Sequence, residues 1–231
     1  MLTLCIDTSA ATALALVQDG ETLASRRAED PRRHAEELGV LTAELASNLG
    51  ADSPKGMGVD QICVGTGPGP FTGLRSGIAF AGALGEALDV PVLGVWSQEA
   101  FAAGALLDSG AKSVLVVSDA RRGEVYWGIY QGDPSALEVP AALEVVVLPS
   151  VGRLDDALEA ATLRGVSVVS GPEQVVEGIS GGFEVIPGDL RPELLALFAG
   201  APRRDFGLIP LYLRRPDIQG QPQQELAVPS R

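Results

Sequence analysis

Apolar and polar positions along this chain alternate with one period and then switch to another. Leu2–Ile6 is a short apolar run that ends at the turn formers Asp7, Thr8 and Ser9. A second run, Thr12–Gln18, leads into Asp19-Gly20, a dipeptide that tolerates positive φ and so signals a hairpin, and Glu21–Ala28 supplies the returning strand. From Pro31 to Leu49 the period becomes helical, with Leu38, Leu41, Leu45 and Leu49 on one stripe. Gln61–Gly65 is the next strand. A Gly/Pro-rich loop then opens a helix over 71–88, Pro91–Trp96 forms a further strand, and another helix starts near Ser97.

The pattern then begins again. LTLCIDTSAATALALVQDG from Leu2 aligns without a gap on VLVVSDARRGEVYWGIYQG from Val114, setting Asp7 against Asp119 and Gly20 against Gly132. Further on, Thr66-Gly67-Pro68 is echoed by Ser170-Gly171-Pro172. Two matches in the same order favour duplication over a chance likeness of two hairpins. Each half reads as a three-strand meander followed by helix, strand and helix. This predicts an α/β protein of two lobes, in which antiparallel meander and parallel crossovers share one mixed sheet. The duplicated βββαβα layout resembles the actin-like ATPase superfamily of the ribonuclease H-like type, whose cleft between lobes binds nucleotide. The expected bounds are residues 1–104 for the first lobe and 105–218 for the second, with 219–231 a polar, frayed tail.

Composition narrows the functions open to such a fold. The 231 residues are 46% hydrophobic and only 5% aromatic, a globular profile rich in small residues. A formal net charge of −13 repels phosphate, so extensive nucleic-acid binding by this chain alone is not expected, although Arg121-Arg122 or Arg214-Arg215 could touch RNA brought by a complex. The plainer reading of those arginines is solvated loop charge. Cys5 and Cys63 fall in apolar runs with neither metal nor disulfide spacing, which suits a reducing cytosol. The first residues meet Asp7 before any signal-peptide core forms, and the helix over 71–88 carries Arg75 and Glu86, so a cytoplasmic protein without a membrane span is expected.

Chemistry is sparse. The loop GPGPFTGLR, Gly67–Arg75, lies between a buried strand and a helix, where glycines let backbone amides approach an anion. With Asp7 at the end of the first strand, Gly67, Gly69 and Thr72 form a weak phosphate-loop-like set. It lacks the Walker lysine and the dinucleotide fingerprint. A tight turn needing positive φ and close helix contact explains the same glycines. The single histidine, His34, cannot build a two-His metal motif, and no nucleophile–His–acid set can be placed, so no catalytic or metal site is expected. His34 reads instead as a helix-start or partner-contact residue, and Asp119 as a turn residue. Along the helix over 71–88, Gly73, Gly77, Ala81 and Gly85 recur every four residues and mark one smooth face. Glycine inside a helix costs about 1 kcal/mol against alanine, so some close approach should offset it. Either the chain's own sheet or a partner helix fills that strip, and Leu38, Leu41 and Leu45 could complete a docking face.

Three segments then resemble one family: IDTS (Ile6–Ser9), GPGPFTGLRSGIA (Gly67–Ala79) and DARRGEVYWGIY (Asp119–Tyr130), with support from His34–Leu41 and from PLYLR, Pro210–Arg214. In order and over nearly the whole chain, they are similar to the TsaB (YeaZ) proteins. The resemblance implies a scaffold without chemistry of its own. In that family it pairs with the paralogue TsaD, which transfers threonylcarbamoyl to the adenosine beside the anticodon of tRNAs reading ANN codons. The ATPase TsaE joins them, and a separate enzyme makes the threonylcarbamoyl-adenylate. It further implies a homodimer through the same helical face when alone, tRNA contact only through the complex, no cofactor of its own, and room for ATP or ADP at the complex interface. Where the catalytic paralogue carries a His-x-x-x-His metal motif, this chain has Ser97 and Phe101, which do not replace imidazoles. Two alternatives stand beside the scaffold: an autonomous actin-fold ATPase or kinase, and an inactive glycoprotease relative. Against the first, Glu173 stands in the echo loop where the first loop has Gly69.

Overall fold

The computed structural model describes residues 1–28, 34–137, 142–199 and 207–214, in two compact units. The first comprises Met1–Ala100 with Leu190–Pro210; the second comprises Phe101–Asp189 with the described residues from Leu211. The division falls inside one helix, slightly before the bound expected at residue 104, and the stretch from Leu190 belongs with the first unit rather than the second. The polar tail expected at 219–231 lies outside the described residues.

In the first unit, β1 (Leu2–Asp7), β2 (Thr12–Gln18) and β3 (Glu21–Ala28) form the antiparallel meander. Asp19 and Gly20 take φ of 51° and 88°, the left-handed pair that a two-residue hairpin requires. β4 (Gln61–Gly65) lies parallel to β1, and β5 (Val92–Val95) parallel to β4, giving the order β3-β2-β1-β4-β5. Helices α1 (His34–Asn48) and α2 (Phe71–Leu88) pack against this sheet, and α3 (Ser97–Ser109) follows β5. β1 and β4 are buried at nearly every position because the sheet is covered on both faces. Part of that cover comes from far along the chain: the 3₁₀ segment Pro192–Phe198 lies on β1, β2 and β4, burying Leu194, Leu195 and Phe198. Cys5 and Cys63 are register partners there, both fully buried and free. Burial pushes the Cys63 thiol up to about 12 and raises Cys5 as well.

The second unit repeats the plan. β6 (Ser113–Asp119), β7 (Val125–Gly132) and β8 (Leu143–Gly152) form a meander, and β9 (Val168–Gly171) and β10 (Glu184–Pro187) add parallel strands, in the order β10-β9-β6-β7-β8. Helix α4 (Leu154–Thr162) lays Ala157 and Ala161 on Leu115, Val117 and Ile129, and the single turn α5 (Glu173–Val176) adds Val176. The gapless repeat is reproduced in the register: Leu2 faces Gln18 and Asp7 faces Ala13, just as Val114 faces Tyr130 and Asp119 faces Val125. The second echo is not. Thr3 pairs with Gln61 and its counterpart Leu115 with Val169, so Ser170 stands level with Ile62 rather than Thr66. β9 is one residue shorter than β4, and its end lies close on β6: a Cβ on Gly171 would lie 2.6 Å from the Val117 carbonyl oxygen. Two mixed five-stranded sheets of one topology are the actin-like fold read from the sequence.

Candidate functional site

The turn after β1, the loop after β4 and the start of α3 meet on one buried carboxylate. Asp7 is fully buried, and its Oδ1 accepts the Ser9 amide at 2.7 Å while its Oδ2 accepts the Ser97 hydroxyl at 2.6 Å. The Ser97 Oγ in turn accepts the Gly67 amide at 3.1 Å, and the Ser97 amide donates to the Gly67 carbonyl at 2.8 Å. Such charge-assisted bonds are the stronger kind, and they compensate a charge that burial makes costly. Burial raises the Asp7 carboxyl above its ordinary range, and the Ser9 and Ser97 hydroxyls with the Ser9 amide draw it part of the way back. Gly65 makes the room: a Cβ there would overlap the Asp7 carboxylate and lie 2.7 Å from the Ser97 Oγ.

The glycine loop is folded onto the same turn. Gly67 has φ of +104° and precedes a cis Pro68, and a Cβ on it would strike Leu74 Cδ1 at 2.8 Å. A Cβ on Gly69 would lie 2.7 Å from the Ser9 carbonyl oxygen. Thr66 donates both its amide and its hydroxyl to the Val95 carbonyl. Asp7 and Gly67 are therefore brought together, but facing inward and bonded through Ser97, with Gly69 pressed on Ser9; of the expected phosphate-loop set only Thr72 is exposed. Beside Thr72, the Arg75 guanidinium lies 5.0 Å from the centre of the Phe71 ring, a cation–π contact at the start of α2.

The docking strip expected on α2 points the other way. Gly73, Gly77, Ala81 and Gly85 are all buried in the first unit's own core. Thr8 Oγ1 donates to the Gly73 carbonyl at 2.8 Å, and a Cβ on Gly77 would overlap that same hydroxyl. A Cβ on Gly85 would overlap Val92 Cγ2. The close approach that offsets these helical glycines is to the β1 turn and to β5. Leu38, Leu41 and Leu45 are likewise core residues, none more than 5% exposed. The exposed face of these helices carries Val40 and Ala43 on α1 and Arg75, Ala79 and Ala83 on α2. His34 opens α1, and its side chain lies outside the described residues.

In the second unit Asp119 is a turn residue, as read from the sequence: its Oδ1 accepts the Arg121 amide at 2.7 Å. Arg121, Arg122 and Gly123 all take positive φ, 65°, 58° and 75°. For a residue with a Cβ that conformation costs ~1–2 kcal/mol. The loop is closed by Ala120 donating to Glu124 and Glu124 to Arg121. Arg214, only 14% exposed, clamps it by donating to the Ala120 carbonyl at 3.0 Å and pairing with Glu124. Neither Arg214 as a clamp nor Ser97 as a bridge was read from the sequence. Both act through partners more than eighty residues away in the chain.

A family model described as TsaD, tRNA N6-adenosine threonylcarbamoyltransferase, matches residues 24–148. An uncharacterized protein of Mycobacterium tuberculosis is 36% identical over 222 residues, covering 94% of this chain and 93% of that one. The tRNA threonylcarbamoyladenosine biosynthesis protein TsaB of Escherichia coli is 34% identical over 152 residues, 65% of this chain and 64% of its own. This chain belongs to the TsaB (YeaZ) family. Its fold agrees: a solved Pseudomonas aeruginosa protein described as similar to the peptidase YeaZ superposes with a TM-score of 0.72 at 29% identity, over 92% of this chain and 99% of that one. All three segments that carry the TsaB resemblance thus have structural duties here. IDTS and GPGPFTGLR close on each other through Asp7 and Ser97, and DARRGE is held by the arginine of PLYLR. No helix among the described residues is long and apolar enough to cross a membrane.

Proposed function

We propose that this chain is a non-catalytic subunit in the making of threonylcarbamoyladenosine on tRNA, working beside a TsaD-type transferase and a TsaE-type ATPase. The observation that carries the reading is the state of Ser97 and Phe101, which stand where the catalytic paralogue has its metal-binding histidines. The Ser97 hydroxyl is spent between Asp7 and Gly67, and Phe101 is a buried hydrocarbon ring. These residues do not fit a transition metal. Asp7, the acidic group bonded through Ser97 to the glycine loop, is likewise committed to Ser9 and Ser97, so ATP or ADP is held with the partner present rather than by this chain alone.

The outer face of α1 and α2 is the docking surface for the transferase, and for a second copy when the chain is alone. Ala79 and Ala83 let a helix approach closely, and Val40, 52% exposed, supplies apolar contact. Transfer of threonylcarbamoyl to a tRNA transcript by cognate TsaD, TsaE and the adenylate-forming enzyme should depend on this chain. Ala83→Arg should stop both association and transfer while leaving the chain folded. Full transfer without the chain refutes the proposal, and ATP turnover by the isolated chain would favour an autonomous ATPase instead.

A further inference from the structure

Helix α2 carries its exposed charges at the wrong ends. Carboxylates favour the first turn of a helix and cations the last, where they offset the macrodipole, and α2 has neither. Instead Arg75 stands near its N-terminal end and Glu86 in its last turn. Both are exposed, and neither makes an ion pair among the described residues. About three turns separate them, so they lie on one face, with Ala79, Gly82 and Ala83 between them. This is the face opposite the buried strip of Gly73, Gly77, Ala81 and Gly85. Apolar side chains flank it: a Cβ on Gly82 would lie 3.7 Å from Leu208 Cδ1, and the neighbouring Ile209 is 65% exposed.

Charges misplaced for one helix are well placed for two that run antiparallel. A second α2 laid on the first, about a two-fold axis level with Phe80 and Ala81, brings Arg75 of each copy to Glu86 of the other. Each charge then sits at the end of the neighbouring helix whose dipole favours it. At the centre Ala79 meets Gly82 of the second copy, and such small residues let helix axes approach to about 8 Å. A parallel pairing would instead set Arg75 on Arg75 and Glu86 on Glu86. We propose that the chain alone forms a homodimer in which α2 packs antiparallel on α2 of a second copy, with two Arg75–Glu86 ion pairs fixing the register. The pairing rests on the docking surface proposed above and names the residues on it that select a second copy.

The test is sedimentation velocity of the full chain over a concentration series, native and charge-reversed. Arg75→Glu turns both pairs into carboxylate against carboxylate, and Glu86→Arg turns both into guanidinium against guanidinium. Each variant alone should self-associate roughly thirtyfold more weakly than the native chain. Mixed in equal amounts, the two should dimerise again to within about threefold of native, because every contact in the mixed dimer is arginine against glutamate. Glu86→Arg should also melt no lower than native at concentrations where both are monomeric, since a cation in the last turn suits its own helix. Arg153→Glu, an exposed charge in the other unit, should leave self-association unchanged. A native chain that stays monomeric, single reversals that dimerise as native does, or a mixture that does not recover overturns the pairing. If Ala83→Arg blocks association with the transferase while the reversals leave the homodimer untouched, the docking surface stands and the antiparallel register falls. Failure of the proposed function shows separately, as transfer that does not need the chain.

Discussion

Replacing Gly77 by alanine separates an inward-facing glycine strip from an outward-facing one. On an exposed helix face the change would stabilise by about 1 kcal/mol, the usual helical preference of alanine over glycine. Here the new methyl would overlap Thr8 Oγ1 and lie 3.1 Å from Thr8 Cγ2 and 3.2 Å from Thr8 Cβ. Thr8 is buried, so it can yield only by turning away from the Gly73 carbonyl, to which it donates at 2.8 Å. Losing that bond costs about 1 kcal/mol, and overfilling a packed site costs about 1–3 kcal/mol. After the gain in helix preference, the net is a destabilisation of about 1–3 kcal/mol. Gly82 on the same helix provides the control, since a Cβ there meets only Leu208 Cδ1 at 3.7 Å and should stabilise by up to about 1 kcal/mol. Urea unfolding of both variants is the assay. Adding Thr8→Ala to Gly77→Ala should recover about 1 kcal/mol as a favourable coupling. If Gly77→Ala is as stable as Gly82→Ala, the strip does not face Thr8 and the account of α2 is wrong.

Other consequences are as direct. Ser97→Ala strands a buried carboxylate oxygen and the Gly67 amide, at a cost of about 2–4 kcal/mol near neutral pH. The Asp7 carboxyl is already raised in the folded state and rises further without the Ser97 donor; the penalty is therefore full above the folded pKa and shrinks as pH falls toward the ordinary aspartate value. Melting temperatures of variant and native chain should converge on acidification, and a gap independent of pH would contradict the bridge. Arg214→Gln should raise amide exchange across Asp119–Glu124 and lower stability by about 1–2 kcal/mol; unchanged exchange would remove the clamp. Cys5 and Cys63 should resist iodoacetamide at pH 8 in the folded protein and react only on unfolding, because both are buried and their thiolates are disfavoured. Rapid labelling of native protein would contradict this.

The sequence made the strands legible because burial on both faces writes long apolar runs, and the hairpin legible because Asp19-Gly20 needs left-handed backbone. The repeat from Leu2 and Val114 even carried the register. The direction of the small-residue strip was not legible. Spacing of four identifies a face of α2 but carries no information on whether Thr8 or a partner covers it. The same holds for Leu38, Leu41 and Leu45, where a core stripe and a docking stripe share one period. The Thr66 and Ser170 echo marks equivalent strand ends, each leading into a helix, but not register, because the likeness of the two tripeptides spans a difference in strand length. Ser97 and Arg214 could not be found from local pattern, since a bridging serine and a clamping arginine look like any others until Asp7 and Ala120 are brought beside them.

The placement of Pro192–Phe198 on β1, β2 and β4 has a bearing on how the protein is born. The five strands of the first sheet have all been synthesised by about Val95, yet the segment that roofs one side of that sheet is made roughly a hundred residues later. At about 5–20 residues per second the nascent sheet waits some 5–20 s with that side bare. A gene fragment ending after Ala100 would leave it bare for good. The first hundred residues are thus an unfinished product, prone to stick to chaperones or to one another until the chain's later passage comes back to complete them.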